Sequence, residues 1–105
     1  MIYELRIYHI NEGKMEAVCK RFEEHTLKYF PNHGIKVTDF WVDADGKNIL
    51  YYICEFESKE KMAEAWAAFR VAPEWVEAKA KSEESGPLVA EVQSFTMENA
   101  SFFAK

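Results

Sequence analysis

The sequence predicts an α+β domain: one four-stranded antiparallel sheet with two long helices on one of its faces. Three observations predict it. Hydrophobic periodicity switches between two and about 3.6, in the order strand, helix, strand, strand, helix, strand. Turn residues punctuate the chain at Gly34, at Asp43-Ala44-Asp45-Gly46 and at Gly86-Pro87. No linker, repeat or low-complexity stretch divides the 105 residues, so residues 1–105 are expected to form one domain.

Each element follows from its own pattern. Over residues 3–9, Tyr3, Leu5 and Ile7 point one way and Glu4, Arg6 and Tyr8 the other, which marks a strand. From Gly13 the apolar residues Met15, Val18, Cys19, Phe22, Thr26, Tyr29 and Phe30 form a helical stripe, opposed by Glu16, Lys20, Glu24 and Lys28. Gly34 suits the left-handed residue that ends such a helix. Residues 35–42 form a second strand, and the Asp43–Gly46 turn leads to a third over residues 48–57. Ser58 is the expected N-cap of a second helix carrying Met62, Ala65, Trp66 and Phe69. Pro73 interrupts it and opens a short third helix with Trp75 and Val76. Residues 88–97 are the last strand. Right-handed crossovers then give the ferredoxin-like β-α-β-β-α-β arrangement.

Composition narrows the function classes. A net charge of −5, a pI near 5.2 and the lack of a Lys/Arg run argue against a nucleic-acid partner. No stretch approaches the roughly 20 apolar residues that a membrane helix needs, so no membrane partner is expected. The N-terminus shows no secretory pattern, and the expected location is cytoplasmic. Cys19 and Cys54 match no metal or CxxC spacing and read as small buried hydrophobes. Asn99-Ala100-Ser101 matches a glycosylation acceptor, which without a secretion signal is a chance match.

The third strand points to a partner. Leu50, Tyr52, Cys54 and Phe56 make one apolar face, and Ile49, Tyr51 and Ile53 make another. Two helices cover one face of a four-stranded sheet, so the second needs another cover. The simplest is the same face of a second copy, a homodimer enclosing a cavity. Phe102 and Phe103, after the last strand, add to the surface that such a partner would cover.

The motifs YELRIY (3–8), GKMEAVCKRFEEH (13–25), HGIKVTDFW (33–41), FES (56–58) and PEW (73–75) occur in this order. In that combination the chain resembles the NIPSNAP family, within the dimeric α/β-barrel superfamily, over about residues 2–97. The resemblance implies the fold and the dimer already argued. It implies little chemistry, because the superfamily spans monooxygenases, haem-handling proteins and isomerases. Family members often carry Asp just before PEW; here Ala72 stands there, removing a capping side chain worth about 0.5–2 kcal/mol.

The candidate pocket residues are Glu4, Arg6, Tyr8, Tyr52 and Trp41. Arg6 leads: if Leu5 and Ile7 meet the helices, Arg6 looks into the dimer cavity, with a planar donor fork for a carboxylate, phosphate or enolate. Its structural alternative is a cross-strand ion pair with Glu55 or Glu91, or a solvated rim position. Tyr8 and Tyr52 offer a ring and a hydroxyl each, or plain packing, and the sequence leaves open which face they take. Trp41 and Asp39 share a face and offer an aromatic wall and an acceptor, Asp39 being equally an edge-strand charge. Trp66 and Trp75 read as packing anchors. His25, at the margin of the first stripe, is a base or axial haem ligand or an ordinary helix histidine. His33 fits a helix C-terminus, and His9 ends the first strand. No two histidines share a helix face at ligand spacing, so no metal is expected. No cofactor is required, with haem the one alternative. Two functions follow: binding or transforming a small hydrophobic or enolisable molecule in the dimer cavity, or a non-catalytic binding or interaction module.

Overall fold

In the computed structural model, which describes residues 1–103, the chain runs through β1 (Ile2–Ile10), α1 (Met15–Arg21), a π turn (Phe22–Thr26), α2 (Leu27–Tyr29) and a 3₁₀ turn (Phe30–His33). It continues through β2 (Lys36–Val42), β3 (Ile49–Phe56), α3 (Lys59–Arg70), α4 (Pro73–Ser82) and β4 (Val89–Met97). The strand order is β2-β3-β1-β4 and every neighbouring pair is antiparallel, the ferredoxin-like arrangement that the sequence predicts.

The first helix is continuous but not uniform. Among its buried residues, Val18, Phe22, Thr26 and Phe30 recur at steps of four. A step of four overshoots the 3.6-residue turn, so the stripe would drift around a regular helix. The wider π turn takes up part of that drift and keeps Phe22 and Thr26 against the sheet. Thr26 Oγ1 donates to the Arg21 carbonyl at 3.3 Å, five residues back. Gly34, at φ 79°, then ends the segment.

Two turns form as their residues dictate. Asp43 Oδ2 accepts from the backbone N–H groups of Asp45 and Lys47, and Gly46 adopts φ 77°. Ser58 caps α3 by accepting from the Lys61 N–H at 3.1 Å. Ala72 stands at the start of α4 and supplies no side-chain acceptor.

Burial separates the two faces of the sheet. Leu50, Tyr52, Cys54 and Phe56 of β3 pack with Val18, Phe22, Phe30, Ala65, Trp66 and Phe69 of the helical layer. Full burial of an aliphatic or aromatic side chain such as Leu50 or Phe30 stabilises by about 1.5–3 kcal/mol. The alternate residues Tyr3, Leu5, Ile7, Ile49, Tyr51 and Ile53 form the opposite face and are half-buried. On that face Trp41 and Phe95 are 49% and 48% exposed. Phe102 and Phe103 are exposed, while Ala104 and Lys105 of the same tail lie outside the described residues.

The condition attached to Arg6 is therefore reversed. Leu5 and Ile7 do not meet the helices; Glu4, Arg6 and Tyr8 do, alongside Tyr52. The apolar set is free to face outward because the polar set is internally paired, as its geometry shows.

Candidate functional site

Alternation along β1 puts Glu4, Arg6 and Tyr8 on the helix side, and the register sets Arg6 between Tyr52 of β3 and Ser94 of β4. Arg6 is joined to three neighbours: Nε donates to the Tyr52 hydroxyl at 2.9 Å, Nη1 to Glu4 Oε2 at 3.1 Å and Nη2 to the Tyr8 hydroxyl at 3.3 Å. Its Cζ lies 4.1 Å from the centroid of the Trp66 ring, a cation–π contact. Glu4, 3% exposed, accepts from Trp66 Nε1 at 2.6 Å and from Ser94 Oγ as well as from Arg6. The charge is thus paired where it is buried.

The electrostatics follow from this packing. Burial opposes the charge of Arg6, but the oxygens of Tyr52 and Tyr8 and the Glu4 carboxylate outweigh it and hold the guanidinium above its ordinary range. Burial, and then the neighbouring Tyr8, push the Tyr52 hydroxyl well up. Burial and the Glu4 charge push the Cys54 thiol up to about 12.

The two tyrosine oxygens are 2.9 Å apart, and proton accounting sets the direction of their bond. Each oxygen already accepts from Arg6. Tyr52 is fully buried, so its proton needs an acceptor, and the Tyr8 oxygen is the one in reach among the described residues. Tyr52 therefore donates to Tyr8. The Tyr8 proton has no acceptor among the described contacts.

Tyr8 also walls a cavity of about 340 Å³ between the helical layer and β4, within the usual range of ligand pockets. Phe22, Phe30, Phe69 and Trp75 supply its aromatic lining, and Phe22 meets the Tyr8 ring at 5.6 Å. Arg21, Lys79, Glu83 and Glu91 supply its charges, two of each sign. A second, more open groove of about 480 Å³ runs between the first helix and α4. Its charges are already matched, Lys20 with Glu24, Lys81 with Glu77 and Glu74 with His33.

Four of the five predicted pocket residues come together; Trp41 does not. It lies opposite Tyr51 on the other face of the sheet, because the bulge between Val37 and Asp39 turns Phe40, not Trp41, onto Tyr52. Asp39 shares that outer face, bonded by Thr38 Oγ1. Nor is Arg6 paired with Glu55 or Glu91; its partner is Glu4. His25 meets Tyr29 at 3.4 Å, His33 pairs with Glu74 at 2.9 Å, and His9 meets Gln93 at 2.7 Å. Among the described residues no three His, Cys, Asp or Glu side chains are gathered to hold a metal ion. No helix among them is long and apolar enough to cross a membrane.

Arg21 is the residue that sequence reasoning passed over. It is 5% exposed, with Nη1 donating to Ser82 Oγ at 3.1 Å and Glu83 Oε2 at 3.3 Å. Its Nε is a buried donor without a partner among the described residues. One signal was available: Arg21 follows Val18 by three positions and so lies on the buried stripe.

Comparison with known proteins agrees with this architecture. The family model described as NIPSNAP matches residues 3–104. A NIPSNAP domain protein from Burkholderia xenovorans superposes with a TM-score of 0.84 at 18% identity, over 100% of both chains. A NIPSNAP family protein of unknown function from Agrobacterium tumefaciens gives 0.83 at 23% identity, over 98% of this chain and 91% of its own. A putative antibiotic biosynthesis monooxygenase from Nitrosomonas europaea gives 0.66 at 9% identity, over 94% and 98%. At these identities the likeness is one of fold. None of the curated proteins matches the sequence.

Proposed function

From the premise that the chain belongs to the NIPSNAP family, we propose that it binds a small hydrophobic, enolisable molecule in the cavity behind Tyr8 and stabilises the molecule's enol or enolate oxygen. The observation that carries this reading is the Tyr8 hydroxyl proton, left over by the Arg6–Tyr52 network at the wall of an aromatic cavity. A hydroxyl held by a buried cation is a preorganised donor for oxygen that gains negative charge. The monooxygenase from Nitrosomonas europaea shares the fold, which makes oxidation or isomerisation of such a molecule the reaction class to test. Binding itself needs nothing beyond the chain's own side chains.

A second reading, a ligand-binding module without turnover, is favoured by Glu4. Both of its oxygens are engaged, by Trp66, Arg6 and Ser94, which leaves no free base in the cluster. One titration separates the readings. The purified protein is mixed with 1-phenyl-1,3-butanedione and with 2-naphthol, and exchange of the diketone's central protons with deuterated water is followed by NMR. Saturable binding with exchange faster than in buffer supports turnover; binding without faster exchange supports the module. If neither compound binds at millimolar concentration, the cavity reading falls.

The proposed working form is a cytoplasmic homodimer. Its support is the outer face of the sheet, where Leu5, Ile7, Tyr51 and Ile53 form an apolar surface and Phe95 stays half exposed. In such a dimer each protomer keeps its own cavity on the helix side, away from the joined faces.

A further inference from the structure

We infer that the cavity takes its ligand in the uncharged form and that Glu83 sets this selectivity. The inference rests on the cavity reading above and narrows it from a hydrophobic molecule to a neutral one. Four charged side chains line the cavity, Arg21 and Lys79 against Glu83 and Glu91. Their charges are compensated without a ligand. Arg21 Nη1 donates to Ser82 Oγ at 3.1 Å and to Glu83 Oε2 at 3.3 Å, and Lys79 Nζ lies 3.9 Å from Glu83 Oε1. Glu91 lies 3.7 Å from His9 Nε2, and its exposed carboxylate is also solvated.

Glu83 stands at an unfavourable place for its own charge. It directly follows α4, at the helix end where the dipole favours cations over carboxylates. Arg21 and Lys79 offset that disadvantage, and Glu83 in turn cancels them at the cavity wall. An ionised acid or ammonium group entering the cavity would leave water with no free counter-ion to meet it, a cost that a neutral molecule avoids. Tyr8 is the exception: Arg6 stands behind its hydroxyl, so negative charge that develops there on the ligand's oxygen is met. The walls of Phe22, Phe30, Phe69 and Trp75 suit a flat apolar body. The ligand class is a neutral, planar aromatic or enolic ketone or phenol, with an oxygen at Tyr8 and no ionised group elsewhere.

The test is calorimetric titration of the full chain at pH 7 with three probes of similar shape: 2-naphthol, 2-naphthoate and 2-naphthylmethylammonium. The native protein is expected to bind naphthol at least about tenfold tighter than either ion. Glu83→Gln leaves Arg21 and Lys79 in excess, and should raise naphthoate affinity relative to naphthol by about tenfold. Lys79→Gln alters an exposed side chain, so folding is not at stake, and should raise the affinity of the ammonium probe relative to naphthol. The probes are compared within one protein, so a partly unfolded sample cannot imitate a change of ratio. A smaller native ratio, or ratios that stay unchanged in the folded variants, overturns the neutral-ligand inference, while naphthol binding keeps the cavity reading. Failure of all three probes to bind overturns the two together.

Discussion

Trp66 Nε1 donates to Glu4 Oε1 at 2.6 Å, so α3 is tied to an inner strand of the sheet through a carboxylate that is almost wholly buried. The same carboxylate neutralises Arg6. Removing it strands a buried cation.

Glu4→Gln keeps the shape of the side chain and removes its charge. The expected cost is about 3–5 kcal/mol, because the remaining guanidinium stays buried without its counter-ion. Urea unfolding measures it. The double variant Glu4→Leu with Arg6→Met should lose less than the sum of the two single variants. A Glu4→Gln protein within about 1 kcal/mol of the native one would show that the pair carries no such weight.

The two tyrosine hydroxyls should behave differently. Tyr52→Phe leaves Arg6 Nε without its acceptor inside the core and is expected to cost about 1–3 kcal/mol. Tyr8→Phe leaves both the buried Tyr52 proton and Arg6 Nη2 without their acceptor and should cost at least as much stability. It alone should weaken 2-naphthol binding, up to about tenfold. Parallel melts and titrations check both. Unchanged naphthol binding in Tyr8→Phe would reverse the assignment of the free proton to Tyr8.

Stability should fall in alkali. Cys54 has its thiol pushed up to about 12, from an ordinary 9.0. The folded state therefore holds a proton that the unfolded chain releases above about pH 9, and the stabilisation is complete below that pH. It is lost between pH 9 and 12, and Tyr52, also raised, adds to the loss at the upper end. Cys54→Ala should remove about 1.4 kcal/mol per pH unit of the slope in this window. Guanidinium unfolding at pH 7, 9, 10 and 11 reads the slope; identical slopes in both proteins would contradict the buried-thiol account.

The outer face should govern assembly without touching the cavity. Phe95→Glu places a charge in the middle of the proposed dimer face. Light scattering should record a monomer where the native protein is a dimer, with 2-naphthol binding retained. A variant that stays dimeric would move the interface elsewhere.

The order of elements was readable because each period is long and each boundary carries a chemically specific residue, Ser58 and Gly34 among them. The doubly apolar β3 also announced that both faces of the sheet carry apolar side chains, and on the outer face it motivates the proposed dimer. What could not be read was the facing of β1. Tyr3, Leu5 and Ile7 look like the core set and Glu4, Arg6 and Tyr8 like the solvent set, and hydropathy ranks them wrongly. The polar set is inside because Trp66, Ser94 and Tyr52 complete its hydrogen bonds from positions far apart in sequence. No local pattern contains those pairings. The π turn was hidden similarly: a step of four reads as helix whether or not one turn is widened.

Because β1 alternates strictly, its nine residues hold two separate inventories, interleaved one by one. Deleting a single residue near its C-terminal end would exchange them over the rest of the strand, turning the ionic network outward and the aliphatic set beneath Trp66. Point substitutions can revise either inventory alone, so ligand choice and self-association are free to diverge between relatives. A change of length in this strand revises both at once.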